Sequence, residues 1–207
     1  MAVGVTLKNY RCFNDSKPAR FTLRKGFTSF IGVNNSGKSS LLKFFYEFRE
    51  LFQKIGTNVD GIIATMTKAA SFNFPRSVFD IEEVFNNGNN RDLEIQFVFT
   101  FSPTSSIHQL AVTRVSLKLP RNSDTPFLRL SVDDNWLDFG GHKPSSNGTL
   151  LQQVDQSPVA DVEMLLPFFQ SLANTLYIGP FRNILGFTSN EDYFDIKVGQ
   201  AFVQIRR

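Results

Sequence analysis

The sequence predicts an α/β fold in which a strand, a glycine-rich turn and a helix follow one another, with an antiparallel β layer packed on them. Three observations predict it. Phe27–Ile31 is apolar and runs directly into Gly32. From Lys38 to Lys54, large apolar residues recur every three or four positions, as on one face of a helix. Three runs between residues 93 and 132 are typical of strands joined by short turns.

The composition is that of a chain with a real core and an unusual excess of Phe. Of 207 residues, 42% are apolar and 20% are charged, which excludes a wholly disordered chain. Because Phe has no polar group, most of the 23 Phe rings must be buried in a core or against a partner. The net charge of +3 is a mild excess that does not by itself indicate nucleic acid.

No membrane span and no secretory signal are expected, because apolar runs are short and the chain start lacks the signal pattern. The single cysteine, Cys12, excludes an internal disulfide and a cysteine-rich zinc site. We therefore expect a cytoplasmic, reducing environment. Cys12 itself is expected to be a small structural residue, since no His lies near it in sequence.

The N-terminal elements are expected in the order strand, strand, strand, helix. Val3–Tyr10 and Arg20–Leu23 are strand-like and are separated by a polar turn. Phe27–Ile31 is the third strand, and one helix is expected from Lys38 to about Lys54. The apolar face of that helix consists of Leu41, Phe44, Phe45, Phe48, Leu51, Phe52 and Ile55.

The middle of the chain is expected to hold an antiparallel meander. Its three strands are Leu93–Phe101, Val112–Leu119 and Phe127–Val132. In the first strand one face carries Leu93, Ile95, Phe97, Phe99 and Phe101. This face and the Phe stripe of the helix are two surfaces that fit a common core. Residues 56–92 are expected to be an irregular insertion, apart from a short helix from Ser77 to about Phe85.

The C-terminal part is expected to begin with a polar connection over residues 138–157. Ser157 and Pro158 have the residue types of a helix N-cap and first helical position, so a helix is predicted to about Leu172. Pro167 would kink this helix. A short strand, Thr175–Ile178, follows and ends at Gly179 and Pro180.

The motif that carries chemistry is Gly32-Val-Asn-Asn-Ser-Gly-Lys-Ser39, which fits the phosphate-binding pattern G-x-x-x-x-G-K-[ST]. Gly37 permits the tight turn that directs backbone N–H groups at a β-phosphate. The helix that follows adds its positive N-terminal end. Lys38 would reach the β- and γ-phosphates, and the Ser39 hydroxyl would bind Mg²⁺. By composition the pattern arises by chance in about one chain in a hundred of this size.

Three segments together resemble ABC-type ATPases of the SMC/RecF/OLD branch, which are AAA-family ATP-binding proteins. They are Val5–Phe13, the loop with its flanks over Phe30–Leu42, and Tyr177–Arg182. Asn35, where many relatives carry Gly, is typical of the OLD-like members. The resemblance is strong over residues 3–52, moderate over 175–207, and only topological between them.

The resemblance implies that residues 1–207 form one N-terminal lobe, with insertions at 56–92 and 138–157 and the second lobe absent. It implies ATP and Mg²⁺ as cofactors, with the ion on Ser39. The expected nucleotide-binding residues are Arg11, Gly32, Asn34, Asn35, Ser36, Gly37, Lys38, Ser39 and Ser40.

The family's other catalytic motifs do not follow Lys38. A Ser-Gly-Gly signature, an apolar strand ending in Asp-Glu and a switch His are all missing. Asp133 and Asp134 follow a meander strand and are interpreted as a turn, and His108 and His142 as surface residues. No catalytic residue is therefore identified, and the chain alone is expected to hydrolyse ATP at background rate.

The resemblance thus implies the ATP-binding lobe of an ATPase acting in DNA-linked repair or defence, with no membrane role. Its partner would be a second lobe or a homodimer partner, with DNA and a nuclease as further partners. The basic residues for DNA would be Lys17, Arg20, Arg24, Lys25, Arg182, Arg206 and Arg207, whose alternative is ordinary solvated charge.

Two other classes stay open. One is a P-loop kinase or GTPase, which is disfavoured because the predicted antiparallel strands lack regular βα alternation and no Asn-Lys-x-Asp guanine reader occurs. The other is a non-enzymatic interaction module with a vestigial phosphate loop.

Overall fold

The computed structural model describes residues 2–26, 28–31, 36–75, 78, 80–101, 110–137, 142–145, 148–152, 155–174, 193–198 and 201–206. Its strands are β1 (Ala2–Lys8), β2 (Ala19–Leu23), β3 (Leu93–Thr100), β4 (Val112–Leu119), β5 (Phe127–Val132), β6 (Asn135–Trp136), β7 (His142–Pro144), β8 (Thr149–Gln152), β9 (Pro158–Asp161), β10 (Tyr193–Val198) and β11 (Ala201–Arg206). Its α-helices are α1 (Lys38–Glu47), α2 (Arg49–Thr57), α3 (Val59–Met66) and α4 (Leu165–Ala173).

The main sheet is six-stranded and antiparallel, in the order β2-β1-β3-β4-β5-β6. The predicted strands β1 and β2 and the meander β3-β4-β5 are confirmed. One cross-strand row runs through Phe21, Val5, Phe97, Val115 and Leu130, and all but Phe21 are buried. The alternation along β3 therefore places its apolar residues on the core face, as predicted.

The predicted single helix is two helices with a bend at Phe48. The Phe48 backbone (φ −97°, ψ 2°) is not α-helical, yet its N–H donates to the Phe44 carbonyl at 3.1 Å. The Phe48 ring packs against Phe72 and Phe74, with centroid distances of 5.8 and 5.4 Å. The bend follows from this tertiary packing, since the sequence has neither Pro nor Gly at that point.

The Phe stripe of the helices and the Phe face of β3 pack together, as predicted. Phe52 lies 6.3 Å from Phe97, measured between ring centroids. Helix α4 completes the cluster, because Phe169 contacts Phe52 at 6.1 Å and Phe97 at 5.7 Å. Phe168 contacts Phe99 at 5.1 Å. The buried rings thus join α2, α4 and the sheet into one core.

The strand predicted at Phe27–Ile31 is not formed. The described residues of that segment, 28–31, lie outside any strand, and Ile31 is 94% exposed. A strand needs a neighbour to complete its hydrogen bonds, and none of residues 28–31 pairs with β2, the edge strand of the main sheet. Among the described residues, this segment therefore stays outside the sheet.

Residues 56–92, predicted to be irregular, contain α3. The Asn58 side chain caps this helix by accepting a hydrogen bond from the Gly61 N–H at 2.9 Å. The helix predicted from Ser77 is reduced to a 3₁₀ helix, Ile81–Val84, that Asp80 caps. Ser77 itself lies outside the described residues. Asn and Asp capping signals were present in the sequence and were missed.

The predicted polar connection at 138–157 contains two strands, β7 and β8, which form a second antiparallel sheet with β9. The helix predicted from Ser157 is also wrong at its start. Pro158 begins β9, an edge strand, where Pro leaves no ladder bond broken. Helix α4 begins at Leu165, so Pro167 lies in its first turn, where Pro is tolerated without a kink.

The remaining strands, β10 and β11, form a separate antiparallel pair. The predicted strand Thr175–Ile178 lies outside the described residues. None of the helices that the structure describes is long and apolar enough to cross a membrane.

Truncating Phe169 tests whether the aromatic cluster holds the fold. We expect Phe169→Ala to lower the free energy of unfolding by about 4 kcal/mol, because it removes a fully buried ring from between α2 and the sheet. Leu42→Ala, at a side chain that is 46% exposed, should change it by less than about 0.5 kcal/mol. Urea unfolding of both variants measures the difference, and equal losses would contradict the role of the cluster.

Candidate functional site

The start of α1 lies where the phosphate-binding pattern predicts it. The helix begins at Lys38, and Gly37 is its N-cap in the left-handed conformation, with φ +87°. The first helical hydrogen bond runs from the Leu41 N–H to the Gly37 carbonyl at 3.0 Å. The first turn contains no acidic residue, so no side-chain charge of its own cancels the positive end of the helix. Its N–H groups are suited to an anion.

Position 37 requires glycine for two reasons, which are the lack of room for a Cβ atom and the positive φ of the backbone. A Cβ atom at this position would lie 2.5 Å from Phe13 Cζ and 2.9 Å from Cys12 Sγ. Both distances are shorter than van der Waals contact, and a left-handed φ strains any other residue. Cys12 and Phe13, in the turn after β1, therefore pack directly against the backbone of Gly37. On its Cβ side Gly37 thus packs against protein, and the fit to a phosphate group rests on the N–H groups of the first turn of α1.

The polar side chains of the motif occupy the same end of α1. Lys38 Nζ donates to Ser36 Oγ at 3.3 Å, and the Ser39 side chain is exposed. Ser40 is half-buried, and its carbonyl oxygen lies 3.1 Å from the Tyr10 hydroxyl. The remaining predicted loop residues, Gly32, Asn34 and Asn35, lie outside the described residues.

A buried polar network joins the turn after β1 to the flank of α1. The Arg11 guanidinium donates to Glu47 Oε1 at 2.5 Å, and the Tyr10 hydroxyl lies 2.8 Å from Glu47 Oε2. The side chains of Arg11 and Glu47 are only 18% and 6% exposed. Burial, and after it the negative charge of Glu47, raises the pKa of Tyr10 well above its usual range. The phenol is therefore a protonated donor that satisfies the buried carboxylate.

The backbone of Arg11 is fixed as firmly as its side chain. Its φ is +48°, its N–H donates to the Val84 carbonyl at 2.9 Å, and its carbonyl accepts from Asn86 Nδ2 at 2.6 Å. The resemblance predicts Arg11 beside the nucleotide. The structure gives its guanidinium a partner on the last residue of α1, and contact with a nucleotide stays a prediction.

Sequence reasoning missed Tyr10, Phe13 and Glu47. A signal for Glu47 was available, because position 47 lies three residues after Phe44 and four before Leu51. A carboxylate on the apolar face of a helix needs a buried partner. Phe13 carries no such signal, since its contact with Gly37 joins segments that are 24 positions apart in sequence.

Of the other candidate residues, Asp133, Asp134 and His142 take no part in this site, whereas Cys12 lies against Gly37. Asp133 and Asp134 both have positive φ and form the two-residue turn between β5 and β6, which confirms their interpretation as a turn. His142, predicted at the surface, is half-buried in β7, and His108 lies outside the described residues. Among the described residues, no group of three or more His, Cys, Asp or Glu side chains could hold a metal. Cys12 is exposed.

A left-handed glycine followed by Lys and Ser at the start of a helix, within the sequence pattern G-x-x-x-x-G-K-[ST], is typical of a P-loop nucleotide-binding protein. The sequence model of the AAA ATPase domain family matches residues 1–191 of the chain. The chain therefore belongs to the AAA ATPase domain family, and its function is of the ATP-binding, ATPase-like kind. Among curated proteins, none matches the sequence. The family match confirms that the chain is of the AAA-type P-loop ATPase class that the resemblance implied. Its place in the SMC/RecF/OLD branch stays a prediction.

The packing of Cys12 and Phe13 against Gly37 is tested by comparing alanine substitutions at two glycines that have a positive φ. We expect Gly37→Ala to destabilise the fold by about 1–2 kcal/mol more than Gly26→Ala, because Gly26 (φ +109°) has open space where a Cβ would lie. Both variants place Ala at a positive φ, but only Gly37→Ala also places a Cβ against Phe13 and Cys12. Thermal and urea unfolding measure it, and equal destabilisation would show that the contact is unimportant.

The buried network is tested by removing its carboxylate. We expect Glu47→Ala to lower the free energy of unfolding by about 3 kcal/mol, since it leaves the Arg11 charge buried without its partner. The exposed Glu83 is the matched control, and Glu83→Ala should cost less than about 0.5 kcal/mol. A Glu47 variant as stable as its control would mean that Arg11 reaches water or another partner.

Proposed function

We propose that this chain binds ATP with Mg²⁺ at the start of α1, as the N-terminal lobe of an ATPase of the SMC/RecF/OLD branch. The observation that carries the proposal is the turn at Gly37. There the backbone angle and the Phe13 contact both require glycine, immediately before a helix that opens with Lys38 and Ser39. Its family membership supports the same chemistry.

The residues of this turn have separate tasks in the proposal. The N–H groups of the first turn of α1 hold a phosphate group, and Lys38 supplies the positive charge for the β- and γ-phosphates. The Ser39 hydroxyl, which is exposed at this end, would hold the metal ion. Bound Mg²⁺ offsets the charge of the phosphates. Gly37 permits the tight backbone turn before α1, and the side chains of Cys12 and Phe13 pack against it.

Hydrolysis in this proposal requires groups from outside the lobe. The motif supplies no general base of its own, and Asp133 and Asp134 belong to a hairpin turn. A second lobe, or a second copy of the ATPase, would supply an acidic base and a signature motif. We place the complete ATPase in DNA-linked repair or defence, with a nuclease as a candidate partner, on the resemblance alone.

Lys38→Ala tests nucleotide binding at this turn. We expect the variant to lose at least about 30-fold in ATP affinity, because the change deletes the one side-chain cation that the motif directs at the phosphates. The matched control is Lys43→Ala, an exposed cation one turn further along the same helix, which should bind ATP within about twofold of the unchanged chain. Calorimetry with ATP and Mg²⁺ measures both. Unchanged binding in the folded Lys38 variant would remove the assignment.

The same calorimetry extended to other nucleotides separates the three classes of function. A preference for ATP supports the proposal, and a preference for GTP would favour a GTPase. Binding of neither nucleotide would favour an interaction module with a vestigial loop. The antiparallel order of β3, β4 and β5 already disfavours a P-loop kinase or GTPase, whose strands alternate with helices.

A further inference from the structure

The Tyr10 hydroxyl has one hydrogen and two acceptor oxygens within hydrogen-bond distance. Glu47 Oε2 lies 2.8 Å from the phenol oxygen, and the Ser40 carbonyl oxygen lies 3.1 Å from it. Tyr10 is fully buried, so bulk water does not reach the hydroxyl and supply a second hydrogen. The carboxylate is both the closer and the stronger acceptor. The hydrogen therefore points at Glu47, and the Ser40 carbonyl faces the phenol oxygen without it.

Arg11 contacts both members of the Tyr10–Glu47 pair. Its Nη2 donates to Glu47 Oε1 at 2.5 Å, and its Nε donates to the phenol oxygen at 3.2 Å. A guanidinium carries donors and no acceptor, so Arg11 offers the phenol hydrogen no third partner. The choice of that hydrogen is therefore between Glu47 and Ser40.

The ring of Tyr10 is packed in one position, so the choice rests with the hydroxyl hydrogen. Its centre lies 5.7 Å from the centre of the Phe44 ring and 6.1 Å from that of Phe48, both in edge-to-face geometry. Rotation of a hydroxyl hydrogen needs no movement of the ring. The two states therefore share the same packing and differ in one hydrogen bond.

Ser40 is connected to the start of α1 by two peptide units in series. Its carbonyl belongs to the same peptide unit as the Leu41 N–H, which donates to the Gly37 carbonyl at 3.0 Å. The Gly37 carbonyl belongs to the same peptide unit as the Lys38 N–H, one of the first-turn donors of the proposed phosphate site. Hydrogen bonds in such a series polarise one another. A hydrogen donated to the Ser40 carbonyl therefore makes the Lys38 N–H a stronger donor.

We propose that Tyr10 and Glu47 are positioning residues that set the ATP affinity of the phosphate site. Glu47 keeps the phenol hydrogen away from Ser40 and so weakens the hydrogen bond from the Lys38 N–H to a phosphate. The inference rests on the proposed function, because it concerns the affinity of that same site. It gives Glu47 a second role beside the pairing with Arg11, and the two roles act in opposite directions on stability and on ATP affinity.

Glu47→Gln turns the hydrogen in a defined way. Because Arg11 only donates, the oxygen of the new amide faces Arg11 and its NH₂ group faces the phenol oxygen. The phenol oxygen then accepts, and its hydrogen turns to Ser40. We expect this variant to bind ATP about threefold more tightly than the unchanged chain. Its midpoint of urea unfolding should fall, since the ion pair is lost. A purely structural role for Glu47 would lower both quantities.

Removal of the hydroxyl tests whether the gain in affinity passes through it. Tyr10→Phe should bind ATP within about twofold of the unchanged chain, because the hydrogen is not on Ser40 in that chain. Tyr10→Phe/Glu47→Gln has the same charge as Glu47→Gln and should bind within about twofold of Tyr10→Phe. Glu50→Gln removes an exposed carboxylate of α2 and should leave the affinity within about twofold. Calorimetry with ATP and Mg²⁺ measures all four variants, and circular dichroism checks that each is folded.

Three results would each overturn the inference. They are a Glu47→Gln variant that binds ATP no more tightly than the unchanged chain, a gain that persists in the double variant, and a loss of more than about twofold in Tyr10→Phe. The last result would show that the hydrogen is already on Ser40, and it decides the matter even where Glu47→Gln does not fold. An unchanged chain that binds no ATP refutes the proposed function and this inference with it. ATP binding that Glu47→Gln does not tighten refutes this inference alone.

Discussion

The burial of Phe rings between the main sheet and the helices is the constraint on which the rest of the structure depends. Phe52 of α2, Phe97 of β3 and Phe169 of α4 meet in one cluster, although they come from three distant parts of the sequence. The rings have no polar group, so their exposure to water is unfavourable and their burial against one another stabilises the fold. Helices α1 and α2 are consequently held against the sheet along one line, and the N-terminus of α1 has a fixed place relative to β1.

The site at that N-terminus depends on a second, smaller contact. Phe13 and Cys12 fill the space where a side chain on Gly37 would lie, while Tyr10 and Arg11 bind Glu47 at the other end of α1. One turn after β1 thus holds both ends of the helix. One contact alone would leave the orientation of α1 free, because a helix that is held at one end can still rotate about that end. Together they fix the direction in which its first-turn N–H groups point.

The sequence predicted those parts of the fold that local patterns determine. The alternation in β3 and the glycine-lysine step at Gly37 were both predicted, since each is encoded within a few residues. The strand predicted before Gly32 failed, because a strand also needs a neighbour, and that information is not local. Ser157 and Pro158 fit a helix start by residue type, but pairing with β8 placed Pro158 in a strand. Local propensity was therefore overridden by the lack of a pairing partner in the first case and by pairing with β8 in the second.

The sequence predicted the motif residues of the candidate site but not the residues that hold the helix of the motif in place. The spacing of the motif identifies Lys38 and Ser39. Arg11 and Glu47 are 36 positions apart in sequence, and only the fold brings them together.

Strand β1 connects the main sheet to the phosphate turn. It carries Lys8 on the outer face, and five residues later Phe13 presses on Gly37. The segment between them is held by buried hydrogen bonds of Tyr10 and Arg11, so it has little freedom to move independently of α1. A displacement of β1 would therefore have to break the Glu47 network or carry α1 with it. The positions of the phosphate turn and of β1 are in this way fixed by the same few residues.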